Sequence, residues 1–63
     1  SNFPGQEFCF ILKGGFDANI RGQHYKINEG DGFYFNSSKP HLFKNISPNK
    51  AEILWIITPY NNL

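Results

Sequence analysis

An all-β fold is predicted by three features of this sequence. Aromatic and β-branched residues, which suit a pleated and half-buried surface, are gathered into short runs. The six glycines and four prolines fall between those runs and not inside them, so they read as turns joining strands. No stretch carries apolar residues at the 3.6-residue helical period for long enough to compete.

The first strand is expected over Glu7 to Lys13. Its two-residue period puts Glu7, Cys9 and Ile11 on one face and Phe8, Phe10 and Leu12 on the other, so both faces are apolar and both need cover. Gly14-Gly15 reads as a two-residue hairpin turn, because glycine adopts the positive φ angles such turns need. Phe16 to Ile20 then alternates, with Phe16, Ala18 and Ile20 inward and Asp17 and Asn19 outward. Arg21-Gly22-Gln23 turns the chain into His24 to Ile27, where His24 and Lys26 share a face opposite Tyr25 and Ile27, making His24 a surface residue. Gly30-Asp31-Gly32 releases the aromatic run Phe33 to Phe35. The polar Asn36-Ser37-Ser38-Lys39-Pro40 segment leads to a strand with His41 and Phe43 on one face, ending at Asn45, so Gly30 to Asn45 reads as a second hairpin. Ala51 to Thr58 is the last strand, with Ile53, Trp55 and Ile57 opposite Leu54 and Ile56, and Pro59 ends it. Six short strands with turns at such spacing suit a sandwich or barrel.

Sixty-three residues make one domain, residues 1–63 with a core over 7–59, and a chain of this size buries only roughly 60% of its unfolded surface. A single cysteine excludes an internal disulfide, and Cys9 with His24 and His41 lacks the spacing of a structural zinc site. Six basic against five acidic residues, spread singly, leave no electrostatic footprint for nucleic acid. The longest apolar run, Ile53 to Ile57, is strand-sized and far short of a membrane span. A cytoplasmic protein with no membrane partner is expected.

The spacing of the central segment resembles the second conserved motif of the cupin family of small β-barrels. That motif runs glycine, five residues, proline, one residue, glycine, two residues, histidine, three residues, asparagine; Gly30, His41 and Asn45 match it, with Asn36 at the proline and Ser38 at the second glycine. Glu7 and Gly14 match the second half of the family's first motif, whose paired histidines have no counterpart at Ser1, Asn2 or Phe3. More specifically, Glu7 to Pro59 looks like the C-terminal cupin of bacterial helix-turn-helix transcriptional regulators of the lambda-repressor-like class. The resemblance is carried by Glu7 to Gly14, Gly30 to Phe35, Ser37-Ser38-Lys39-Pro40-His41, Asn45, and Ala51 to Pro59.

The resemblance implies a cupin-type barrel, a double-stranded β-helix of jelly-roll kind, whole or partial, cut from a longer regulator. It also implies a non-catalytic domain that senses a small-molecule effector and forms a homodimer, touching DNA only through an upstream domain. Residues expected to face a ligand in the barrel interior are Glu7, Cys9, Tyr34, His41, Phe43 and Trp55. In metal-binding cupins a glutamate and three histidines converge on a divalent ion; here only Glu7 and His41 stand as candidate ligands, too few for a metal site, so no metal and no cofactor are expected. The rival is a metal-dependent cupin enzyme, an isomerase or dioxygenase, whose paired histidines lie upstream. A plain dimerisation module with a filled core is the third alternative. Cys9, mid-strand between phenylalanines, suits a small core hydrophobe better than a nucleophile. Gly14, Gly22 and Gly30 cannot cradle phosphate at a helix, because no helix follows them.

Overall fold

The computed structural model describes residues 5–59. Six strands follow one another: β1 (Gly5–Lys13), β2 (Gly15–Ile20), β3 (Gln23–Asn28), β4 (Gly32–Asn36), β5 (His41–Asn45) and β6 (Glu52–Pro59). All ladders are antiparallel, and they form two three-stranded sheets of order β4-β1-β6 and β3-β2-β5, here the first and second sheet. The all-β class expected from the sequence is the class observed.

Which strands pair differs from the sequence expectation at two places. Gly14-Gly15 is not a hairpin turn: Gly15 lies inside β2 opposite Asn28, and Gly14 alone carries the chain from one sheet to the other. The cause lies in β1, both of whose edges are taken, by β4 from Gln6↔Asn36 to Phe10↔Gly32 and by β6 from Gly5↔Pro59 to Lys13↔Glu52. No edge is left for β2. Gly14 has φ +86°, and a Cβ there would fall 2.8 Å from both the Ala51 Cβ and the Ser47 Oγ, so glycine is required twice over.

Nor is the Gly30 to Asn45 segment a hairpin, because β4 belongs to the first sheet and β5 to the second. Asn36 Oδ1 accepts from the backbone N–H of Ser38 at 2.9 Å and from its hydroxyl at 2.7 Å, which turns the chain. Ser37 N–H then donates to the Gly5 carbonyl at 2.9 Å, and the Pro40 carbonyl accepts from Arg21 N–H at 2.9 Å, so the link is anchored to one sheet at its start and to the other at its end. The true hairpin is β2-β3. Arg21 (φ 55°) and Gly22 (φ 83°) both occupy the left-handed region, as a two-residue turn of type I′ requires.

Between the sheets lie Cys9, Ile11, Phe16, Ala18 and Ile27, with Phe33, Phe43, Ala51, Ile53 and Trp55 packed against them. Aromatic rings carry much of the contact across the gap. Phe33 meets Tyr25 at 5.3 Å and Phe43 at 6.0 Å, Phe35 meets Phe43 at 5.6 Å, and Trp55 stands edge-on to Phe43 at 4.7 Å. The two-residue period thus holds as expected for β1 and β2, whose inward residues Cys9, Ile11, Phe16 and Ala18 are buried.

Candidate functional site: a buried carboxylate beside one histidine

Glu7 sits near the start of β1, on the face that also carries Cys9 and Ile11, and is 3% exposed. Burying a carboxylate is costly unless its oxygens find donors. One does: Trp55 Nε1–H, from β6, donates to Glu7 Oε1 at 2.7 Å. The other oxygen, Oε2, is buried with no hydrogen-bond partner and faces His41 Nε2 across 3.5 Å.

His41 begins β5 in the opposite sheet, with a side chain only 10% exposed. Its Nδ1 lies 2.7 Å from the Lys39 carbonyl. A carbonyl can only accept, so Nδ1 carries a proton and donates it there, and in neutral imidazole Nε2 is then an acceptor. The Asn36 turn and Pro40 thus matter to the site, because they aim the Lys39 carbonyl that fixes the ring. Phe35 packs on the imidazole at 4.8 Å and on Trp55 at 6.4 Å, and Phe43 closes against Trp55.

Of the six residues expected in the interior, Glu7, His41, Phe43 and Trp55 are brought together. Cys9 is fully buried one inward position beyond Glu7, and burial, reinforced by the Glu7 charge, pushes its thiol from 9.0 up to about 11, so it stays protonated at neutral pH and is a poor nucleophile. Tyr34 is a correction. It lies opposite Phe8 on the outer face of the first sheet, 62% exposed, while Phe33 and Phe35 take the inward positions. In an unbroken aromatic run the two parities look alike in sequence, and the structure turns the two phenylalanines to the core and the one ring with a hydroxyl to water. Two partners escaped the sequence: Phe35, whose ring packs against His41 at a tilt of 55°, and the Lys39 carbonyl. Neither carries a signal, since one is another aromatic in a run and the other is backbone. Ser37 was missed as well; its hydroxyl is the second buried polar atom without a partner. His24 lies on the outer face of the second sheet, as expected, 2.8 Å from Asp17.

The matching residues of the two motifs now have places. Gly30 turns the chain at φ +86°, His41 faces Glu7, and Asn45 organises the loop after β5, its Oδ1 accepting from the N–H and hydroxyl of Ser47 and its amide donating to the Asn49 carbonyl. The family model described as the cupin domain matches residues 4–57. The chain is a cupin. Searches of curated proteins and of solved structures returned no match.

Kinship with metal-binding cupins raises the question of a divalent ion. Among the described residues no group of three or more histidine, cysteine, aspartate or glutamate side chains is gathered. Glu7 Oε2 and His41 Nε2 are two donors, where a centre fixed in a dry cavity takes three or four. By themselves, these two donors among the described residues do not make up the ligand set of a metal centre. No helix among the described residues is long and apolar enough to cross a membrane.

Proposed function

We propose that this cupin is a non-catalytic small-molecule-sensing and dimerisation domain of a bacterial transcriptional regulator, working in the cytoplasm and reaching DNA only through a domain outside this chain. The observation that carries the sensing role is Glu7 Oε2, an acceptor buried between two sheets, 3.5 Å from His41 Nε2 and without a hydrogen-bond partner. Buried polar atoms left in that state are rare, and a bound ligand that supplies the missing donor is one way to account for them. A catalytic role has less support, because the nearby thiol is held protonated and the carboxylate and imidazole are fixed on Trp55 and Lys39.

Support for dimerisation comes from the first sheet. Its outer face presents Phe8, Leu12, Tyr34, Leu54 and Ile56. These five are 37–62% exposed, so covering them would recover about half of the roughly 1.5 to 3 kcal/mol that full burial of each such side chain gives, still a sizeable share of the stability of a small domain. A second copy bringing the same face in two-fold fashion would cover them. Effector bound inside the sandwich would favour one arrangement of the paired domains and so change the spacing of the DNA-binding heads.

The test has two arms on the 63-residue chain. Trp55, the single tryptophan, should change its emission saturably with at least one member of a small-molecule library, and sedimentation should give a dimer at micromolar concentration. Retention of one equivalent of iron, manganese, nickel or zinc, lost on His41→Ala, would instead favour the metal-dependent enzyme.

A further inference from the structure

We infer that the outer edge of β6 is a strand-docking site, and that its occupant is β6 of a second copy, paired antiparallel about Trp55. This contact is separate from the outer-face dimer proposed above and does not depend on it.

Among the described residues four strands stand at sheet edges, β4 and β6 in the first sheet and β3 and β5 in the second. An open edge offers its N–H and C=O groups to any extended strand, and short length or exposed charge are the usual guards against that. Three of the edges have such guards. β4 and β5 are five residues each, β5 also carries Lys44, and β3 carries exposed His24 and Lys26. β6 has none: it is eight residues long, its one charge is Glu52 at the first position, and Pro59 comes at the last.

Exposure shows that the cover β6 lacks is lateral. In β1, which has a neighbour on each side, inward Cys9 and Ile11 are 0% exposed while outward Leu12 is 50% exposed. In β6 the two faces are alike. Ile57, opposite Glu7 in the ladder and so inward, is 49% exposed, against 50% and 48% for outward Leu54 and Ile56, and inward Ile53 and Trp55 are only partly buried. A surface laid on the outer face would cover Leu54 and Ile56 alone. A strand added at the edge brings side chains to both faces at once.

The sequence of the strand selects the occupant. Antiparallel pairing about Trp55 sets Glu52 opposite Thr58, Ile53 opposite Ile57 and Leu54 opposite Ile56 of the second copy, so each residue from Glu52 to Thr58 finds a partner and no like charges meet. In-register parallel pairing would set Glu52 against Glu52. Centring on another residue shortens the ladder or draws in Pro59, which has no N–H to give.

Cross-linking reads both the contact and its register. Edge pairing buries less apolar surface than the outer face offers, so it is read at millimolar concentration. In a Cys9→Ala background, chains carrying Glu52→Cys are mixed with chains carrying Thr58→Cys and oxidised mildly. Residues directly opposite in the ladder lie within disulfide reach, whereas the two copies of position 52 would be about 20 Å apart. The heterodisulfide should therefore exceed either homodisulfide about tenfold. Ile57→Lys, which charges the edge without touching the outer face, should cut it about tenfold. Phe10→Asp, which should dissociate the outer-face dimer, should leave it unchanged. If the Cys9→Ala background does not fold, the parent chain decides: exchange of the β6 amides that point away from β1 should slow as concentration rises, and an unchanged rate overturns the inference. A random mixture of disulfides, a predominant homodisulfide, a yield insensitive to Ile57→Lys, or no cross-linking at all overturns it as well, and each of these outcomes leaves the outer-face dimer standing.

Discussion

The second sheet turns Asp17, His24, Lys26 and Lys44 outward, whereas the first turns Phe8, Leu12, Tyr34, Leu54 and Ile56 outward. Both sheets have three antiparallel strands, and both bury an apolar inner row, so the inner faces alone would not tell them apart. The outer faces do. On the second sheet Asp17 stands directly opposite Lys26 on one side and Lys44 on the other, a charge pattern suited to water. On the first, Phe8 is flanked by Tyr34 and Ile56, and Phe10 by Gly32 and Leu54. A contiguous apolar surface of that kind is what the proposed dimer would cover.

Substituting that face should give the largest effect. Phe10→Asp places a charge in the middle of it, and in a two-fold dimer it does so twice, so a loss of about 3–6 kcal/mol of association is expected. Sedimentation should then show monomer at concentrations where the proposal expects the parent chain to be a dimer. Asp17→Leu on the second sheet is the control, and equal dissociation by both would erase the distinction between the faces.

The junction between the sheets comes next. Gly14→Ala combines a left-handed φ with a Cβ overlapping Ala51 and Ser47, and should cost about 2–4 kcal/mol in denaturant unfolding. Gly22→Ala, in the hairpin of the second sheet where nothing lies within 4 Å of the new methyl, should cost about 1 kcal/mol. Similar losses at both would mean that Gly14 is needed only for its φ.

Inside, Glu7→Ala removes the acceptor for Trp55 Nε1–H and should cost about 1–3 kcal/mol by calorimetry without abolishing the fold. His41→Ala should fall in the same range. A neutral result for both would place the pair outside the energetics of the core. Cys9 supplies a pH dependence of about 2–3 kcal/mol. Its thiol ionises near 9 when unfolded and near 11 when folded, so the unfolded state loses its proton first, and stability should decline as pH rises through that window. Parent and Cys9→Ala share every other titrating group, so the parent should lose stability relative to the variant between pH 9 and 11. The smallest effect belongs to the exposed His24 and Asp17 pair, where Asp17→Asn should change stability by about 0.2–1 kcal/mol.

Side-chain period made the strands legible, and the doubly apolar Glu7 to Lys13 run announced a strand with both faces to cover. Pairing was not legible, for a reason visible at Gly14 and at Asn36. Turn chemistry says that the chain changes direction, but the same residues serve a hairpin within one sheet and a crossing to another. The choice is made by a distant competitor, here β6, which takes the edge of β1 that β2 would have used. In the site, Glu7 and His41 were legible through the cupin motifs and Tyr34 was not, because a three-ring run offers two parities. The Trp55 to Glu7 bond joins residues 48 apart and has no local signature.

The ladder between the first and last strands also sets when this protein can fold. Gly5 pairs with Pro59, so the central strand of the first sheet acquires its second neighbour only after the final strand has been made. On the ribosome, Phe8, Phe10 and Leu12 therefore emerge long before β6 can join them, and non-local pairing of this kind is slow. Through that interval β1 offers a free edge and a row of bare apolar side chains to other nascent chains, the condition under which chaperones are recruited and strands mispair.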